Sequence, residues 1–148
     1  MKGALASSFA RTLKDLHGAP PRSSVNPTSL KRLVGKWAPH LGGFAQQDSQ
    51  EFTRFLLDGL HEDLKEREGP GPTEIKEKEL ESLPFQKQSD YWWARHLAKN
   101  DSFITSTFAG QTMSTRECCS CKSRSYCFEP FYDLSVAIPT ERKGLSSR

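Results

Sequence analysis

At 148 residues, with 35% hydrophobic, 10% aromatic and 26% charged side chains, the chain is long enough for one domain with a real core, and its composition argues against wholesale disorder. A net charge of +3 gives little support to nucleic acid as the main partner, and no apolar run is long enough to span a bilayer. The N-terminus carries no apolar stretch followed by a cleavage site, so no secretory signal is expected and a soluble intracellular protein is the default.

The small net charge conceals a segregation. Residues 1–43 carry seven Lys/Arg against one acid, residues 44–82 eleven acids against five bases, and residues 83–148 nine bases against six acids. An acidic middle segment suits a basic peptide or protein surface.

In chain order, Leu5, Phe9, Leu13 and Leu16 recur at helical spacing, and Gly18, Pro20 and Pro21 are expected to stop that helix. Asn26 before Pro27 predicts an N-cap with proline at the first helical position. Leu30, Leu33, Val34 and Trp37 then give the stripe of a second helix, ending before Pro39. His40 to Gly43 reads as a flexible turn. Phe52, Leu56, Leu60 and Leu64, widened by Phe55 and Leu57, predict a long central core helix from Asp48 to Lys65, about 26 Å in length. The first 65 residues therefore read as three packed helices.

The start of the central helix is chemically unusual. Asp48 and Glu51, three apart, gather two carboxylates in one turn. They read either as a capping box, with Asp48 capping orphan N–H groups and Glu51 reaching back, or as a docking site for cationic groups, best of all arginine. The two roles are compatible.

Residues 66–88 change character. Glu66 to Pro72 is a breaker cluster, and Thr73 to Glu81 is mostly Glu and Lys, with Ile75 and Leu80 offering little to bury. Some of it could form a solvated helix, but the stretch reads as an exposed, mobile connection. Ser89 or Asp90 is placed to cap a short helix through Tyr91–Leu97. From Phe103 the texture is β-like: Ser102 to Phe108 is rich in Ile, Thr and Phe, and Gly110 marks a turn or bulge. Gln111–Glu117 leads to a cysteine knuckle, and Ser125–Phe131 and Tyr132–Ile138 follow as extended pieces ended by Pro139. Helices followed by antiparallel strands predict an α+β fold.

Cys118, Cys119, Cys121 and Cys127 fall within ten residues. Without a secretory signal, the cluster reads as reduced and metal-linked. Cys118-x-x-Cys121 on a tight turn can offer two thiolates to one face of a tetrahedral zinc site; alternatively these are simply small reduced residues. The histidines, His17, His40, His61 and His96, lie in or beside the helical part, where His61 reads as a surface or packing residue and His96 as structural. No nucleophile–base pair is evident from the residues.

Several stretches together resemble the ubiquitin-specific protease family, the papain-like cysteine deubiquitinases. Gln46-Gln47-Asp48-Ser49-Gln50-Glu51-Phe52, followed by Phe55 to Leu64, is similar to that family's second conserved block almost residue for residue. Pro27–Pro39 resembles the helix before it. Asn100–Ile104 through Phe108-x-Gly110-Gln111 and Cys118-x-x-Cys121 resembles the start of the fingers, and Glu129 to Val136 the strand after it.

The resemblance implies a hand-shaped fold, with residues 1–65 in a helical thumb, 66–88 a charged flexible connection, and 89–148 a short helix and the start of the β fingers. It implies that Asp48 and Glu51 face the arginine-containing C-terminal tail of ubiquitin, and that Cys118 and Cys121 supply half of a structural zinc site. The family's Gly-Asn-Thr-Cys-like nucleophile block and its general-base histidine block have no match here, so the chain reads as an internal piece of a deubiquitinase without catalytic residues of its own. The alternatives are an inactive ubiquitin-binding module and a free-standing zinc-binding interaction domain.

Overall fold

A computed structural model describes residues 3–20, 24–65 and 69–138. The expected breakers Pro21, Glu66, Arg67, Glu68 and Pro139 lie outside the described residues. The elements run α1 (Ala4–His17), α2 (Thr28–Trp37), a 3-10 turn (Pro39–Gly42), α3 (Ser49–Leu64), α4 (Glu77–Ser82), α5 (Phe85–Lys99), α6 (Phe103–Phe108), β1 (Gly110–Glu117) and β2 (Arg124–Phe131). Six helices followed by an antiparallel hairpin make a mixed α+β fold.

The first three helices pack on one another as their apolar spacing predicts. Leu5 of α1, Leu30, Val34 and the following Ala38 of α2, Leu41 of the 3-10 turn, Leu60 of α3 and Ile104 of α6 form one buried cluster. Phe9, Leu33, Phe52, Phe55, Leu56 and Leu57 close around it. The outer ends of the stripes do not reach it: Leu13, Leu16, Trp37 and Leu64 are exposed. Asn26 is not the N-cap that was expected: α2 begins at Thr28 with Pro27 in the cap position, and Asn26 Oδ1 accepts the Thr28 N–H at 3.0 Å from one residue further out. His40 to Gly43, expected as a flexible turn, is largely a 3-10 turn that buries Leu41. Its backbone passes so close to α2 that a Cβ on Gly35 would stand 2.9 Å from the Gly42 Cα.

Three expectations are corrected. Within the stretch read as an exposed connection, the helix that forms, α4, is not wholly solvated: Leu80 is 6% exposed. The helix expected over Tyr91–Leu97 is twice as long. It starts at Phe85 behind Pro84, buries Gln88 and Tyr91, and is held by Gln88 Nε2 donating to the Leu83 carbonyl at 2.8 Å. The β-like stretch Phe103–Phe108 is helix α6: Ser102 Oγ accepts the Thr105 N–H at 3.1 Å as an N-cap, and Ile104 and Thr105 are buried. Capping and burial against α3 outweigh a weak strand propensity.

The hairpin pairs Gly110 with Phe131 through Glu117 with Arg124. Gly110 is the start of β1 rather than a turn; the Phe131 ring lies over it, where a Cβ would meet Cζ at 2.5 Å. The hairpin leans on α5 through Phe85 and Tyr126, whose ring centroids are 6.0 Å apart, and through Ser89 Oγ donating to Gln111 Oε1 at 2.7 Å. Tyr132–Ile138, expected as a further strand, has no strand partner among the described residues. No helix is long and apolar enough to cross a membrane among the described residues.

Candidate functional site

Asp48 adopts extended backbone immediately before α3, and its Oδ1 accepts the N–H groups of Gln50 at 2.7 Å and Glu51 at 3.1 Å. Both capping bonds fall on one oxygen, so Oδ2 is not used by the cap. Glu51 does not complete a capping box; its Oε1 lies 3.3 Å from His40 Nε2, drawn to the end of the 3-10 turn. Asp48 is exposed and Glu51 half-exposed. The two carboxylates thus stand at the positive end of the α3 dipole and remain open to solvent.

They line one end of a depression of about 460 Å³ with Gln50, Arg54, Phe55 and Asp58. Gln50, Arg54 and Asp58 also line a neighbouring groove of about 500 Å³, whose far wall is Phe108, Pro130, Phe131, Tyr132 and Asp133. The first part of one α3 face therefore lies beneath a channel made of two adjoining depressions, bearing the carboxylates of Asp48, Glu51, Asp58 and Asp133 and the guanidinium of Arg54. Asp133 spans the two walls: its Oδ2 accepts from Gln50 Nε2 at 2.8 Å, and its Oδ1 lies 3.7 Å from Arg54 Nε.

The far wall is positioned from below by a buried polar chain. His61 Nδ1 meets Ser102 Oγ at 2.7 Å and Thr105 Oγ1 at 3.3 Å, and Thr105 Oγ1 meets the Tyr132 hydroxyl at 3.0 Å. His61 is thus a packing residue. His96, stacked on Trp93 at 5.4 Å, is structural as well.

Arg54, Asp58 and Asp133 escaped the sequence reading as site residues. The first two had a signal, since they follow Glu51 by three and seven residues on a helix and so share its face. Asp133 had none, because its position depends on how the chain returns to α3 after β2.

The second candidate set lies at the hairpin tip. Cys118 N–H donates to the Ser123 carbonyl and Lys122 N–H to the Cys118 carbonyl, both at 2.9 Å, and Lys122 takes the left-handed conformation that closes the turn. All four cysteines are exposed and unpaired by disulfides. Hydrogen bonds from the Ser123 side chain, then the Ser123 backbone, then Cys118 draw the Cys121 thiol down to about 7. Cys118 and Cys121 thus lie close together on the turn, at the spacing of a zinc-binding thiol pair. Among the described residues no third His, Cys, Asp or Glu joins them. The cysteines sit on the hairpin or its turn, and His17, His40, His61 and His96 on the helical elements.

Fold and groove together define an α+β protein with an open, acid-lined channel along a central helix and a cysteine-tipped hairpin beyond it. The sequence model of the ubiquitin carboxyl-terminal hydrolases matches residues 1–139, and the chain belongs to that family. It is 41% identical over 139 residues to ubiquitin carboxyl-terminal hydrolase 8 of Arabidopsis thaliana, covering 94% of this chain and 16% of that protein. It is 38% identical over 144 residues to ubiquitin carboxyl-terminal hydrolase 2 of Gallus gallus, covering 97% of this chain and 40% of that protein. The probable ubiquitin carboxyl-terminal hydrolase 1 of Schizosaccharomyces pombe is 38% identical over 144 residues, with 97% and 17% covered. The chain thus spans less than half the length of these relatives.

Proposed function

We propose that this chain is the tail-binding part of a ubiquitin-specific cysteine protease, an intracellular enzyme that hydrolyses isopeptide bonds at the C-terminus of ubiquitin. On this reading residues 1–65 are the thumb, residues 66–88 connect, and residues 89–148 begin the fingers. Asp48 and Glu51 receive guanidinium groups of the ubiquitin tail. The nucleophilic cysteine and the general-base histidine belong to blocks outside this chain, so its own residues bind and orient but do not attack.

One observation carries the reading: the exposed carboxylate of Asp48 and the half-exposed one of Glu51 open onto a channel over the first part of the α3 face, and the cap occupies only one oxygen of Asp48. Arginine forms strong, charge-assisted hydrogen bonds with such groups. The partner is a protein rather than a nucleic acid or a membrane. Cys118 and Cys121 would hold one edge of a structural zinc site whose other ligands come from elsewhere in the protease. Zinc there supplies a cross-link between finger segments.

Titrating ubiquitin calorimetrically into the full catalytic domain carrying this segment tests the proposal. The Asp48→Asn/Glu51→Gln pair should weaken binding about 10-fold or more, the loss of charge-assisted bonds. Unchanged affinity with an unchanged melting temperature would overturn it.

A further inference from the structure

Arg54 is out of place in a channel suited to arginine. It lies three residues after Glu51 and four before Asp58 on α3, spacings at which side chains on a helix surface meet. Left to its own helix it would pair with those acids and neutralise the groups that face an incoming cation. It turns instead across the channel, with Nε 3.7 Å from Asp133 Oδ1.

Asp133 is itself held. Its second oxygen accepts from Gln50 Nε2 at 2.8 Å, and its neighbour Tyr132 is anchored through Thr105 to the buried His61. We propose that Asp133 is a positioning residue of the channel: it holds the Arg54 guanidinium away from Glu51 and Asp58, and so sets the rate at which a cationic tail is captured. This rests on the tail-binding reading above.

Arg54 and Asp133 are well exposed, so their pairing adds little to folding stability. Its effect is on the local field, and charges at the rim of a binding surface act chiefly on association rate and its salt dependence. Removing Arg54 leaves the channel one charge more negative. Removing Asp133 releases the guanidinium onto the acids.

Stopped-flow association of labelled ubiquitin with the full catalytic domain decides the matter. Arg54→Gln should speed association by about 2- to 5-fold, Asp133→Asn should slow it by a similar factor, and the double variant should return to within about twofold of the starting rate. At roughly 1 M salt, where screening acts within about 3 Å, the differences should vanish. If Arg54→Gln leaves the rate unchanged or slows it, or if both single variants and the double are slow at every salt concentration, the inference is overturned and the contact is structural. Asp48→Asn, run alongside, separates the two ideas. If it has no effect, the tail-binding reading falls and takes this inference with it. If it slows capture while Arg54→Gln does not speed it, only the inference falls.

Discussion

The carboxylate of Asp63, near the end of α3, accepts the backbone N–H of Leu5 at 2.7 Å across 58 positions of sequence. The same oxygen accepts the Ala6 N–H at 3.0 Å. Helix α1 starts behind Gly3, which has no side chain to cap it, so its orphan donors are satisfied by another helix. Leu5 also packs directly over Gly59 of α3, where a Cβ would stand 2.5 Å from Leu5 Cδ2.

Asp63→Ala should therefore cost about 1–2 kcal/mol, the range of a lost N-cap, although Asp63 is remote in sequence from the helix that it caps. Urea unfolding of the chain should show a lower midpoint with the same slope. An unchanged midpoint would mean that solvent serves the α1 donors equally well.

Ser102 has two partners. Its Oγ accepts the Thr105 N–H at 3.1 Å as the cap of α6 and meets His61 Nδ1 at 2.7 Å. Ser102→Ala should cost about 1–3 kcal/mol, because the cap is lost and a buried imidazole nitrogen loses its shorter contact. Loosening of Tyr132 should follow, seen as faster amide exchange in the segment after β2. A loss confined to α6 would show that the polar chain does not extend to the channel wall.

These contacts also mark how far the sequence could be read. Helices α1 to α3 were legible because Leu5, Leu30, Val34 and Leu60 recur at the spacing of one buried face. The Asp48 cap was legible because it is local. Ser102–Phe108 was not: its Ile, Thr and Phe favour strand locally, and the Ser102 cap decides for helix only together with burial against α3. Around Leu80 a solvated helix was conceivable, but one leucine gave too little apolar signal to reveal that α4 buries it. Of the channel, Asp48 and Glu51 were visible as a pair, whereas Asp133 comes to them by tertiary folding alone.

His96 gives the fold a pH dependence of definite sign. Burial, and then the charge of His61, hold its pKa below the ordinary 6.5. Asn100 Nδ2 lies 3.3 Å from Nδ1, while the buried Nε2 has no hydrogen-bond partner among the described residues. The unfolded chain binds a proton more readily than the folded one, so this contribution to stability is complete above 6.5 and is lost as pH falls through the folded value. The urea midpoint should drop between pH 7.5 and pH 5.5, and His96→Gln should make that drop smaller. An identical drop in the variant would assign it to other groups.

Asp48 offers a way to separate architecture from recognition. Asparagine caps a helix as well as aspartate does, so Asp48→Asn keeps the bonds to Gln50 and Glu51 and removes only the charge. Asp48→Ala removes both and should destabilise the chain by about 1 kcal/mol. If the carboxylate serves the channel, the two variants should bind ubiquitin almost equally weakly while differing in unfolding midpoint. If it serves only the helix, Asp48→Asn should match the parent in both measurements, and just the alanine variant should suffer. Calorimetry and urea unfolding on the same two proteins distinguish these outcomes, because charge and cap are changed independently at one position.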